Sequence, residues 1–281
     1  MMKGKVVLLT GGNSGIGKVA AVELAKMGAE LTLVCRDRGR AEAAKSEIVS
    51  ESGTSSVDLI IADLLLQREV RRAASEFLSS HKRLDVLINN AGSNFTKYSE
   101  TEDGIESAMA LNYFAPFLLT NLLLETLESS APSRVVNVSS AAHFGAKLDL
   151  GDLNRRNDVG MGGLGSYGRS KLALIMFTYE LARRMEGKGV TANSLHPGVV
   201  RTHIWAHSGT FSPLARLASS FMIGPEEGAK TTVYLASSPE VEGVTGKYFD
   251  KCRARPSSAE SYDAKLAAEL WDLSLKMTGL A

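Results

Sequence analysis

The first seventeen residues constrain the fold most. An apolar run, Val6–Leu9, meets Thr10-Gly11-Gly12-Asn13-Ser14-Gly15-Ile16-Gly17, and apolar residues at helical spacing follow. A strand that turns on glycines into a helix opens a β–α unit, the setting in which such a turn cradles phosphate. Gly11 permits the sharp turn, Gly15 lets the backbone approach a phosphate and Gly17 lets helix and strand pack. Asn13, Ser14 and Ile16 complete the candidate phosphate-binding stretch, where the helix N-terminus offers amide donors and positive dipole. Glycines alone also make tight turns; the strand and helix around them favour a nucleotide.

The rest of the chain repeats this rhythm. Val6–Leu9, Leu31–Cys35, Val57–Ile61, Val86–Ile88, Val135–Val138 and Thr191–Leu195 read as strands, and helical spacing predicts helices near 15–27, 39–51, 67–80, 104–128 and 167–187. Strands alternating with helices predict an α/β fold, a doubly wound parallel sheet with helices on both faces. Two irregular stretches interrupt it, about 144–166 (with Gly-Met-Gly-Gly-Leu-Gly shortly before Tyr167) and about 199–225. Long loops at the carboxyl ends of strands are candidate substrate-pocket walls.

Composition narrows the function. At 281 residues, 44% hydrophobic and 22% charged, the chain is expected to form a single domain, since open α/β sheets often reach this size. A net charge of +1 provides no field for nucleic acid. Cys35 and Cys252, the two cysteines, fit neither a disulfide framework nor a zinc motif, and free thiols suit the cytoplasm. Met-Met-Lys-Gly-Lys leads straight into the first strand, so neither signal peptide nor membrane anchor is expected. His143, His196, His203 and His207 match no compact metal motif, and no metal is expected.

The second strand ends Val34-Cys35-Arg36-Asp37. An acid at the Cys35 position would accept hydrogen bonds from the adenosine ribose of NAD; here it is missing. Arg36 instead offers a planar charged fork for a ribose 2′-phosphate, with Arg38 and Arg40 near it, which favours NADP(H) over NAD(H). The alternative is a solvated Arg36 paired with Asp37 or Glu42.

Seven motifs then fall in order: Thr10 to Gly17, Asp63-Leu64, Asn89-Asn90-Ala91-Gly92, Asn112, Ser139-Ser140, Tyr167-x-x-x-Lys171 and Pro197-Gly198. Together they resemble the short-chain dehydrogenase/reductase family over residues 3 to about 250. The resemblance implies a Rossmann-type sheet and hydride transfer between a nicotinamide and a carbonyl or alcohol carbon. It implies Tyr167 as general acid/base, Ser140 rather than Ser139 as the donor that positions the carbonyl oxygen, and Asn112 in a proton relay. A tyrosine, with a pKa of about 10, needs a neighbouring positive charge to act near neutrality. Lys171, one helical turn on, supplies it and is implied to hold the nicotinamide ribose. Asn90, Ala91 and Gly92 would wall the cofactor site, and Pro197, Gly198, Val200 and Thr202 would meet the carboxamide end. Asp63, with Leu64 beside it, either reaches the adenine amino group or caps the next helix.

Ser139-Ser140-Ala141-Ala142-His143, Ser170-Lys171-Leu172-Ala173, Asn193 to Thr202, Gly246-Lys247-Tyr248-Phe249 and Leu270-Trp271-Asp272-Leu273-Ser274 resemble the retinol dehydrogenase-like branch, which implies a small C-terminal helical extension. The expected substrate is a small carbonyl or alcohol compound, with a hydrophobic one compatible with the aromatic residues of the loops. A homodimer or homotetramer is implied by resemblance. A non-catalytic NADP(H)-binding sensor on the same scaffold is the alternative.

Overall fold

In a computed structural model, which describes residues 2–154, 160–198 and 223–281, eight strands form one sheet in the order β3-β2-β1-β4-β5-β6-β7-β8. They are β1 (Val6–Thr10), β2 (Glu30–Cys35), β3 (Val57–Ile61), β4 (Val86–Asn89), β5 (Ser133–Val138), β6 (Val190–His196), β7 (Lys247–Asp250) and β8 (Arg253–Arg255). Neighbours from β3 through β7 run parallel; only β8 returns antiparallel, with Tyr248 opposite Arg255 and Asp250 opposite Arg253. The strand order reverses between β1 and β4, which opens a crevice at their carboxyl ends.

Alternation along the strands feeds two cores. Leu8 and Val34 enter one with Phe77, Phe117, Phe177 and Trp271, while Val7, Leu9 and Leu33 enter the other with Leu24, Ile48 and Leu235. Helices α1 (Gly15–Lys26), α2 (Arg38–Ser52) and α3 (Gln67–Ser80) match their expected positions. In α2, Asp37 accepts from the Arg40 amide and Gly53, at φ 72°, closes the other end. In α3 the buried residues Val70, Ala73, Ala74 and Phe77 recur at three- and four-residue steps, the spacing of one helix face.

Three expectations need correction. The single helix over 104–128 is broken into α4 (Ser107–Met109), a π-helical turn (Ala110–Phe114), α5 (Ala115–Leu122) and α6 (Leu124–Ser129). At the π turn the Ala115 N–H reaches the Ala110 carbonyl, five residues back. The irregular stretch 144–166 ends early, because α7 (Gly160–Arg184) already includes the glycine run before Tyr167. Gly162 and Gly163 there have φ of 69° and 83°, and a β-carbon on Gly163 would strike the Phe95 carbonyl oxygen. Close approach to the Phe95 backbone explains Gly163, and its positive φ explains Gly162, without a loop. Finally, β7, β8 and α8 (Pro225–Ser237) were not anticipated as elements. The C-terminal helix, α9 (Ala264–Met277), packs Leu270 and Trp271 into the core. Of the irregular stretch near 199–225, residues 199–222 lie outside the described ones. No described helix is long and apolar enough to cross a membrane.

A buried polar ladder ties the sheet to its helices beneath the crevice. Asn89 Nδ2 on β4 donates to Asn137 Oδ1 on β5 at 2.8 Å and to Thr120 Oγ1 on α5 at 3.1 Å. Asn137 Nδ2 donates to Thr178 Oγ1 on α7 at 2.9 Å. Buried polar atoms are costly once a partner is lost, roughly 1–3 kcal/mol each. Asn137→Ala is therefore expected to lower unfolding free energy by about 2 kcal/mol, read as a lower midpoint in urea with unchanged slope.

Candidate active site

The crevice is closed at its base by Thr10, the last residue of β1. Its Oγ1 accepts the amides of Asn90 and Ala91, each at 3.0 Å, across the switch point. Asn90 Nδ2 answers by donating to Thr10 O at 2.9 Å and Gly11 O at 3.1 Å, and Gly11 N donates to Val34 O of β2. The glycine turn is thus pinned from both sides. Beyond it, Ser14 precedes α1 without a side-chain cap, and the first turn carries no acid. Free first-turn amides and an uncompensated dipole fit an anion. The cradle also depends on missing side chains: a methyl at Gly17 would lie on the Gly11 carbonyl and 2.5 Å from Asn90 Nδ2. Gly11 and Gly15 have φ of 72° and 54°. These features fit a dinucleotide phosphate, with Asn13 and Ile16 in the same turn.

Arg36 is exposed directly after β2. The two acids proposed as its partners are engaged elsewhere: Asp37 caps α2, and Glu42 lies 3.9 Å from Arg38. Cys35 is buried behind the glycine turn, where burial pushes its thiol up to about 11 against the pull of the Gly12 and Asn13 amides. It therefore presents no negative charge. Asp63 does not cap α3, whose N-cap is Leu66; its Oδ1 accepts from Leu65 N at 3.1 Å, and Leu64 is buried in the core.

The π turn sets Asn112 fully inside. Its Nδ2 donates to Ser93 O (3.0 Å) and Ser170 Oγ (2.9 Å), and its Oδ1 accepts from Ser93 N (2.9 Å). Ser170 Oγ in turn donates to Tyr167 O, so the tyrosine's turn of α7 is fastened to the loop after β4. Gly92 leaves the room this needs: a β-carbon there would come 2.9 Å from Asn112 Oδ1 and 3.1 Å from Lys171 Nζ.

Lys171 Nζ donates to Val138 O, the end of β5, at 2.8 Å, and lies 5.7 Å from the centre of the Tyr167 ring. Val138 takes one of its three ammonium protons. Burial pushes Lys171 down to about 7. Burial also raises Tyr167, while a hydrogen bond with Ser140 draws it back. Ser139 Oγ is occupied by Lys171 O at 3.0 Å. Ser140 Oγ accepts from Ala142 N at 3.1 Å and keeps its own proton to donate. Pro197 and Gly198 follow β6, with Gly198 at φ 89° against Ile223. Val200 and Thr202 lie outside the described residues.

Sequence reasoning did not assign roles to Thr10, Ser93 or Ser170. Thr10 stood inside the glycine motif and Ser170 inside the Tyr167–Lys171 motif, whereas nothing in the sequence marks Ser93. It also left His143 and His196 as undirected polarity, yet His143 is buried and His196 Nδ1 accepts from Ala141 N at 3.1 Å.

Sheet order, switch-point crevice and glycine turn define a Rossmann-type fold of the short-chain dehydrogenase kind. The chain belongs to the short chain dehydrogenase family, whose sequence model matches residues 5–150 and 155–211. It is 46% identical to retinol dehydrogenase 14 of Homo sapiens over 297 aligned residues, covering 100% of this chain and 88% of the relative. Among solved structures, an uncharacterised protein from Mycobacterium paratuberculosis is 34% identical with a TM-score of 0.77, covering 99% of this chain and 94% of that one. RhlG of Pseudomonas aeruginosa, in a complex with NADP, is 27% identical with a TM-score of 0.73, covering 93% and 96%. Membership makes the chain an oxidoreductase of alcohol and carbonyl groups, of the retinol dehydrogenase-like branch.

Because the atoms around Gly17 are the Gly11 carbonyl and the hydrogen-bonded Asn90 amide, Gly17→Ala cannot be absorbed by a flexible side chain. Overpacking of this kind costs about 1–3 kcal/mol, so affinity for a nicotinamide dinucleotide is expected to fall about tenfold or more in fluorescence titrations with NADH and NADPH.

Proposed function

We propose that the protein is an NADP(H)-dependent reductase/dehydrogenase that interconverts an aldehyde or ketone with its alcohol. The observation that carries this reading is the convergence of Ser140, Tyr167, Lys171 and Asn112 at the carboxyl ends of β4 to β6, beside the uncapped start of α1. A bound nicotinamide supplies or accepts the hydride at the carbonyl carbon. Ser140 Oγ–H donates to the carbonyl oxygen and holds it by the Tyr167 hydroxyl, which gives it a proton in reduction and takes one back in oxidation. Lys171, which burial pushes down to about 7, favours the phenolate in its charged form. Its remaining donors serve the nicotinamide ribose, and Asn112 holds the relay that returns protons to it. Gly11 to Gly17, Asn90, Ala91 and Gly92 would enclose the dinucleotide, Asp63 and the backbone of Leu64 would flank its adenine, and by family resemblance Pro197 and Gly198, with Val200 and Thr202 of the stretch outside the described residues, would meet its carboxamide.

Exposed Arg36 supports NADP(H), since its candidate acidic partners are engaged and an uncharged thiol stands where NAD would need an acid. The name of the 46% identical relative makes retinaldehyde a sensible first substrate beside simple aldehydes and ketones. The reading includes a single-domain, cytoplasmic enzyme that forms homo-oligomers.

Tyr167→Phe is expected to lower turnover at least about 100-fold, the worth of a positioned acid, while NADPH binding survives; a near-normal rate with the same aldehyde would refute the mechanism. Arg36→Ala is expected to weaken NADPH by about 1.5–3 kcal/mol, as for a hydrogen bond to a charged group, with NADH nearly unchanged. Equal affinity of the unaltered protein for NADH and NADPH in the same titration would remove the NADP assignment.

A further inference from the structure

Behind Ser140 the chain makes a short 3-10 turn, Ala141–His143. Ser140 O accepts twice from His143, from its backbone N–H at 3.2 Å and from ring Nδ1 at 2.6 Å. The other ring nitrogen, Nε2, accepts the backbone N–H of Ser258 at 3.1 Å. An amide can only donate, so Nε2 is unprotonated and the proton sits on Nδ1, aimed at Ser140 O. The ring is fully buried and meets the Tyr248 ring of β7 edge-on at 4.9 Å. Burial lowers its affinity for a second proton, so the neutral tautomer is kept.

Ser258 is itself held firmly. Tyr179 of α7 shares a 2.7 Å hydrogen bond with Ser257 Oγ, and Tyr262 stacks on Tyr179 while accepting from Ser257 N at 3.1 Å. Ser261 Oγ closes the turn onto Ser258 O at 2.6 Å. The C-terminal segment therefore runs from a fixed anchor on α7, through one imidazole, to the residue that carries the Ser140 hydroxyl. We infer that His143 is a positioning residue, which uses the strap at Ser257–Tyr262 to set the backbone of Ser140 and hence the direction of its hydroxyl. The inference rests on Ser140 acting as proposed above.

The test compares His143→Phe, His143→Asn, His143→Gln and Ser140→Ala, alone and with His143→Phe added to Ser140→Ala. Turnover is followed with NADPH and either hexanal or retinaldehyde, beside NADPH affinity and thermal melts. An asparagine amide reaches the place of Nδ1 and a glutamine amide the place of Nε2. His143→Phe is expected to lower kcat about 10- to 100-fold, as misplacement of a group by an ångström does, with NADPH affinity intact. His143→Asn is expected to recover most of that loss and His143→Gln little of it. In the Ser140→Ala background His143→Phe is expected to cost less than about twofold more, since coupled residues do not add.

Additive losses, or equal rates for the asparagine and glutamine variants, would overturn the inference alone. A Ser140→Ala enzyme at the normal rate would instead sink the reading of the site. Side-chain ¹⁵N shifts of the unaltered protein, with His143 assigned by its absence in His143→Asn, give a check that needs no turnover: an Nδ1–H tautomer supports the inference, an Nε2–H tautomer overturns it.

Discussion

Everything at the crevice depends on the reciprocal hydrogen bonding between Thr10 and Asn90. A parallel sheet that reverses its strand order leaves main-chain groups at two strand ends facing each other without ladder partners. Thr10 Oγ1 takes two of these amides, and Asn90 Nδ2 takes the carbonyls of Thr10 and Gly11. The same bonds fix the start of the glycine turn and the start of the loop that carries Gly92 and Ser93. The glycine turn and the loop after β4 are therefore parts of one hydrogen-bonded unit, and their spacing is set by the chain itself.

From that unit the order spreads through side chains on three elements. Ser93 holds Asn112, Asn112 holds Ser170, and Ser170 holds the carbonyl of Tyr167. The π turn matters because its wider winding places Asn112 between a loop and a helix, and such turns recur at functional sites. Burial has opposite effects on the two ionisable groups of the site, raising Tyr167 and lowering Lys171. Both shifts favour the uncharged forms, so burial works against the phenolate that a charged Lys171 would favour, and the hydrogen bond with Ser140 offsets part of that cost.

The central strands were legible because Val7–Leu9, Leu31–Val34 and Val86–Ile88 are buried on both faces and read as apolar runs in which Thr32 is the one polar residue. β7 and β8 were not, being four and three residues long and bounded by charges. The π turn escaped because one extra residue in a helix barely disturbs apolar spacing, although Asn112 at its centre was conspicuous. Glycines 160–165 suggested a loop on propensity, and tertiary contact with Asn94 and Phe95 overrode it. The residues of the candidate site were named from motif order, yet the partners that orient them were not. His143 and Ser258 are 115 positions apart, and no local pattern announces such a meeting.

The short strand β8 has a consequence for solubility. It is the edge strand opposite β3, its three residues are exposed, and two of them are Arg253 and Arg255. If two such edges met antiparallel about Ala254, each Arg253 would face an Arg255 of the other copy. Like charges directly opposed across strands repel, and a three-residue edge offers few ladder bonds in return. The end of the sheet thus protects itself from growing into a larger one, by its own sequence rather than by a covering helix.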